Sequence, residues 1–289
     1  MKSAHLRPLS IVKTEKQFDQ PSLKLLTLTQ PKIDKNPFPS AILHLSPHNI
    51  SDRNLCIKAY NCKKLCLHFS GNKLYHDAKF KARQRKSYFF NNSDKFIQCL
   101  LINAVHVYSK NDNKLALRLN GTSDIDWLRE KLPIDNALSQ FLYNRYNLTF
   151  NAGIYSNIFE AFLHAGLKGM HCYDYTKIIS KDRISRAKDV DLDLSFSFDG
   201  WNNSSNIQDS NLALNNGIRL AACFAHIKKN QPMPKEIRFL NHYLPVYDGD
   251  KDDLRYTNPN YCCVGLRFKR PQAFKVSQEY INNFCIDTI

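Results

Sequence analysis

The sequence predicts an α/β fold in which strands and helices alternate around a barrel-like or open parallel sheet. Three observations carry this. Roughly six short apolar runs recur, each followed by a polar cluster and then by a loop or helical stretch. One run, Val190 to Phe198, alternates strictly, with Val190, Leu192, Leu194, Phe196 and Phe198 on one face. The chain has 289 residues, 43% hydrophobic and 12% aromatic, which is enough for one sizeable core and argues against global disorder. No internal repeat of fixed period interrupts the pattern.

Residues 1–40 hold Pro8, Pro21, Pro31, Pro37 and Pro39 without clear periodicity. They read as an extended N-terminal arm with one short strand around Leu23 to Thr29, and residues 41–289 read as a single α/β domain. Ala41 to Leu45, bounded by Pro39 and Pro47, is a buried strand. Asp77 to Lys110 lacks glycine and proline, and its apolar spacing fits one or two amphipathic helices. Lys114 to Leu119 is a strand, followed by Asn120-Gly121-Thr122-Ser123-Asp124, where Ser123 or Asp124 is also a good helix N-cap. Ile125 to Tyr146 reads as helix interrupted at Pro133, Leu148 to Tyr155 as loop or short strand, and Ile158 to Leu167 as helix. Gly169 to Tyr175 is a strand, Ser180 to Ala187 a short helix, Val190 to Phe198 a strand and Ser210 to Asn216 a helical stretch. Strands follow at Ile218 to His226, Tyr243 to Tyr247 and Cys262 to Phe268, with a closing helix within Gln272 to Cys285.

Ligands of such folds bind at the carboxyl ends of the strands. Four strand ends are polar: Asn120–Asp124, Tyr173–Lys177, Ser195–Asp199 and Asp248–Asp253. Tyr173, Asp174, Tyr175 and Lys177 mix rings and charges suited to stacking and hydrogen-bonding a base; a structural Tyr–Asp bond is the plainer reading. Asp248, Asp250, Asp252 and Asp253 do not match a calcium loop, and Asp253 with Arg255 can simply be an ion pair.

Cys56, Cys62 and Cys66 form a C-x5-C-x3-C run beside Asn54, Asn61, Lys63 and Lys64. Three thiolates serving one metal must converge, and a turning loop lets them, while neighbouring lysines favour the thiolate form. The plain alternative is three unrelated core cysteines. A zinc site needs a fourth ligand, from His68, His76, Cys262 or Cys263; the last two, adjacent in a strand, point to opposite faces.

Net charge is +15 with a pI near 9.4, which points to an anionic partner, most simply nucleic acid, or else to a solubilising surface. Lys79, Lys81, Arg83, Arg85 and Lys86 are the candidate phosphate contacts. Nine cysteines in a chain without an apolar leader or membrane-length run suit a reducing cytoplasm, the host's if the chain is phage-encoded. The motifs of P-loop, Rossmann, zincin and α/β-hydrolase sites are all missing.

Taken in order, the cysteine run, A-R-Q-R-K-S-Y-F-F, L-R-L-N-G-T-S-D-I, Y-D-Y-T-K, L-S-F-S, D-G-D-K-D-D-L-R and V-G-L-R-F-K resemble a family of tailed-phage proteins with an N-terminal cysteine loop. The resemblance covers about residues 50–270; one more residue is expected between the first two cysteines. More remotely, the chain is similar to radical S-adenosylmethionine enzymes, whose common loop spacing is C-x3-C-x2-C. That resemblance implies a partial (β/α)6, TIM-like barrel, with a 4Fe-4S cluster on Cys56, Cys62 and Cys66 and an open iron for S-adenosylmethionine. It implies cofactor binding by Asn120, Gly121, Thr122, Ser123, Asp174, Ser195, Ser197, Asp248 and Asp250, and catalytic roles for Asp124, Tyr175 and Lys177. The expectation is an enzyme that modifies an anionic substrate. The competing expectation is a non-enzymatic nucleic-acid-binding protein with a structural zinc or no metal.

Overall fold

The computed structural model describes residues 24–28, 36, 38–48, 53–66, 73–271 and 275–288, the side chains of 73–80 and 288 excepted. Its strands are β1 (Leu26–Thr27), β2 (Ser40–Leu43), β3 (Leu115–Arg118), β4 (Leu132–Ile134), β5 (Gly153–Tyr155), β6 (Met170–Thr176), β7 (Leu192–Ser197), β8 (Arg219–Phe224), β9 (Glu236–Phe239), β10 (His242–Asp248) and β11 (Cys263–Arg267). Its helices are α1 (Lys73–Phe90), α2 (Ser93–Lys110), α3 (Asn136–Tyr146), α4 (Ile158–His164), α5 (Lys181–Asp189), α6 (Ser204–Asn215) and α7 (Gln278–Phe284).

Nine strands form one sheet in the order β1-β2-β3-β6-β7-β8-β11-β10-β9. Seven of them, β2 through β10 in that order, run parallel, and β1 and β9 are antiparallel edges. From β2 to β8 the strands advance across the sheet in chain order, and right-handed crossovers then put their helices on one face.

The side chains agree with that placement. Leu115 and Leu117, Met170 and Cys172, Leu192 and Leu194 join Leu100, Leu101 and Val105 of α2 in the larger core. Phe196, Leu220, Ala222, Phe224 and Cys263 pack with Ala213 and Leu214 of α6. Alternation sends Arg118, Tyr173, Tyr175, Ser195 and Ala221 to the opposite face. There the β10–β11 connection covers the sheet: Leu254 packs with Ala116 and Tyr173, and Tyr256 stacks on His171 at 4.8 Å.

Most expected elements are present, with four corrections. Ile125 to Tyr146 is not one interrupted helix. A 3-10 turn at Trp127–Arg129 and strand β4 precede α3, because Pro133 sits in a two-stranded antiparallel pairing with β5 and Asp135 caps α3 by accepting from Leu138 N–H at 2.7 Å. Neither Ser123 nor Asp124 caps a helix; the Asp124 N–H donates to Leu55 O at 2.8 Å instead. Strand β9 escaped the sequence reading, since its turn places Leu240 at φ +53° rather than an Asn-Gly pair. The closing helix is confined to α7; residues 272–274 lie outside the described residues, as do most of the N-terminal arm and His68.

Candidate functional site

The cysteine loop follows β2 and lies across the carboxyl ends of the strands. A cavity of about 230 Å³ opens beneath it. Cys56, Cys62 and Cys66 form one wall, the Asn120–Asp124 turn a second, and Tyr175, Thr176 and Lys177 of β6 and its continuation a third. Ser197, Cys223, Asp250 and the Arg267-Phe268-Lys269 run also line it, with Arg118 and Asp253 on the sheet side.

The loop is held by the turn that ends β7. The Asp199 carboxylate, fully buried, accepts the backbone N–H groups of Tyr60 and Cys62, each at 2.7 Å. The Asn61 side chain donates to Asn202 Oδ1 at 2.6 Å and also to Asp199 O. Gly200, at φ +108°, permits this approach: a Cβ there would come within 2.8 Å of Asn283 O and closer still to Asn61 Nδ2. On the far side, Trp201 N–H donates to Asn283 O at 2.7 Å, and Lys64 Nζ lies 4.8 Å from the centre of the Tyr280 ring. The loop is therefore clamped between the β7 turn and α7.

The three thiols differ. A hydrogen bond with Cys66 brings the Cys62 thiol down to about 7 against the opposing effect of burial, and Lys177 assists. Burial pushes the Cys56 thiol up to about 12. Burial alone disfavours charge on Lys177, but Cys62, Asp199, Asp124 and Cys56 together raise it and keep the ammonium charged. Among the described residues, no three His, Cys, Asp or Glu side chains are placed to hold a metal ion. Of the other candidate zinc ligands, His68 and the His76 side chain lie outside the described residues. Cys262 and Cys263 belong to cores on opposite faces of the sheet.

The remaining candidates divide between wall and scaffold. Asp124 lines the cavity while its oxygens accept from Thr176 Oγ1 at 2.7 Å and Lys177 N–H at 2.9 Å. Asn120 lines the cavity too, but its side-chain oxygen accepts from Ser123 Oγ, Ile125 N–H and the Trp127 indole, and its amide donates to Ile125 O and Asp174. It builds the turn, and Asp174, buried beside it, is its partner. Thr122 Oγ1 donates to Leu45 O at 2.6 Å, tying the turn to the chain beyond β2. At Gly121 a Cβ would meet Leu43 O at 2.6 Å, so only glycine fits. The Tyr175 ring lies under the Arg118 guanidinium at 4.4 Å. Ser197 lines the cavity and Ser195 lies below it, fully buried. Asp248 and Asp250 pair with Arg267, at 2.8 Å and 3.4 Å, and only Asp250 reaches the cavity.

Sequence reasoning did not single out Arg118, Cys223 or Arg267, because each sits inside an otherwise apolar strand run; their alternation with core residues was the available signal. Asp199 was legible as part of a polar strand end, but not as the anchor of the cysteine loop.

The basic cluster on α1 is not one exposed stripe. Lys81 and Arg85 are exposed, but Arg83 and Lys86 are half-buried, and Lys86 Nζ donates to Leu25 O at 2.6 Å. The Lys79 side chain lies outside the described residues.

Among the described residues, no helix is long and apolar enough to cross a membrane. No curated protein and no solved structure matches the chain, so the likeness to radical S-adenosylmethionine enzymes gains no support from that side. The model of the family described as gene product 88 matches residues 17–287, nearly the whole sequence. The chain belongs to the gene product 88 family, a phage-type family.

Proposed function

We propose that the protein is a partial-barrel enzyme of the radical S-adenosylmethionine kind, acting on an anionic substrate at the strand-end cavity. The observation that carries this reading is that Cys56, Cys62 and Cys66 share one cavity with the Asn120–Asp124 turn and Lys177. The donor chemistry fits an iron–sulfur cluster: three sulfurs on a turning loop, one of them readily ionised, beside a buried cation. Among the described residues the sulfurs do not form a ready-made metal set. The chemistry such a cluster supplies is delivery of one electron to S-adenosylmethionine.

The chain's own residues then have distinct tasks. Cys56, Cys62 and Cys66 ligate. Lys177 offsets the thiolate charge from within the cavity. Asp124 offers a carboxylate to an ammonium group, and Ser197 offers a hydroxyl. Cations and acids both line the wall, Arg118, Lys177 and Arg267 against Asp124, Asp250 and Asp253, which suits a zwitterionic ligand rather than a simple anion.

The test is anaerobic purification and iron–sulfide reconstitution. The protein should be brown, absorb near 400 nm and hold about four irons per chain. The Cys56/Cys62/Cys66→Ala variant should lose the iron while keeping its circular dichroism. Colourless protein that takes up zinc, or iron retained by the triple variant, overturns the reading.

A further inference from the structure

We infer that the rim of this cavity is a docking surface for single-stranded nucleic acid, one base of which enters the cavity; this rests on the cavity being the reaction site. Two segments make the rim. Residues 53–66 carry Arg53, Lys58, Lys63 and Lys64 and no acid; residues 267–271 carry Arg267, Lys269 and Arg270 and no acid. Arg53, Lys58, Lys63, Lys64, Lys269 and Arg270 are all exposed.

Acidic partners offset part of this charge. Glu130 takes Arg53, and Asp248 with Asp250 takes Arg267. Asp209 stands 3.9 Å from Lys58 and Asp250 3.8 Å from Lys269, long pairs with an exposed lysine and a partly buried carboxylate, in which the lysine is free to turn to a stronger anion. Lys63, Lys64 and Arg270 form no ion pair among the described residues, so the mouth keeps a net positive charge.

Aromatic rings interleave with these cations. Tyr60 is 57% exposed on the loop, Tyr280 lies under Lys64, and Phe268 faces the cavity. Cations and rings sharing one surface are the pattern that binds unpaired strands, where bases stack and the backbone tracks the charge. The cavity lies behind the rim, out of reach of a base still stacked in a duplex. An acidic protein would use the charge but has no need of the rings.

The experiment is fluorescence anisotropy with the full chain and a labelled mixed-sequence single strand, titrated at several salt concentrations. The same duplex and polyglutamate serve as competitors. Wild type should prefer the single strand. Lys58/Lys64/Lys269→Ala should flatten the log–log salt slope by about 2, at roughly 0.7 per phosphate contact. Tyr60→Ala should weaken oligonucleotide binding about tenfold and leave any polyglutamate binding unchanged. Lys81/Arg85→Ala, on α1, is the charge control and should change affinity by less than about twofold. No binding at low salt, equal loss in the control, or polyglutamate competing as well as the strand each overturns the proposal. Iron content is read on the same variants, so loss of nucleic-acid binding with iron intact, or the reverse, tells the two readings apart.

Discussion

The Asp199 carboxylate accepts the Cys62 backbone N–H at 2.7 Å across 137 residues of sequence. This bond, with its twin to Tyr60, fixes the loop at the point where its most acidic thiol faces the cavity. Asp199→Ala leaves two partly buried N–H groups without acceptors and should cost about 2–4 kcal/mol, at roughly 1–2 per donor. Urea unfolding measures that cost, and reconstituted iron should fall several-fold. Iron uptake equal to wild type would show that the loop does not need this anchor.

Arg118 and Asp253 form a buried pair, 3.1 Å apart, that joins β3 to the β10–β11 connection, with Tyr173 O–H donating to the same carboxylate at 3.1 Å. Arg118→Met strands the Asp253 charge and should destabilise by about 3–5 kcal/mol. Adding Asp253→Asn should recover part of the loss. A double-mutant cycle in urea gives the coupling, which should exceed about 1 kcal/mol for groups in direct contact.

Gly200 holds a left-handed backbone with no room for a side chain. Gly200→Ala should cost at least about 1–3 kcal/mol from backbone strain alone. Because the clash is with Asn61 and Asn283, the damage should localise. Limited proteolysis should cut residues 53–66 and α7 faster, while α2 and β3 keep their hydrogen-exchange protection.

Lys86 gives a pH-dependent signature. Burial lowers its ammonium to about 8, while the unfolded chain keeps the ordinary lysine value near 10.4. Between these values the unfolded state binds more protons, so this group adds stability as pH rises and withdraws it as pH falls through about 8. The contribution is at most about 3 kcal/mol. Urea midpoints from pH 7 to 10.5 should rise more in wild type than in Lys86→Met. Parallel curves would place Lys86 in a more solvated setting.

The strand framework was legible because alternation is local: Leu192, Leu194 and Phe196 announce their common face without reference to any neighbour. The strand-end clusters were legible as positions, since polar residues end apolar runs. Their individual roles were not. Asn120 and Asp174 look like cofactor ligands in sequence, yet they spend their hydrogen bonds on each other and on the Trp127 indole. That pairing spans 54 residues, and nothing in either segment's pattern encodes it. The burial of individual α1 cations was illegible for a related reason. A run of five cations in eight residues winds around the helix at 100° per residue, so some of them must face inward.

Tyr280 O–H reaches Asn61 O from 219 positions away, and the Asp199 carboxylate accepts the Cys62 N–H across 137. The cysteine segment emerges early in translation but finds its floor and its cover only when these late parts arrive. Contacts of such sequence separation form slowly, after local helices and hairpins. Maturation of the thiol chamber therefore belongs to the last stage of biogenesis, and a nascent or truncated chain offers its sulfurs uncovered to any oxidant or stray metal it meets.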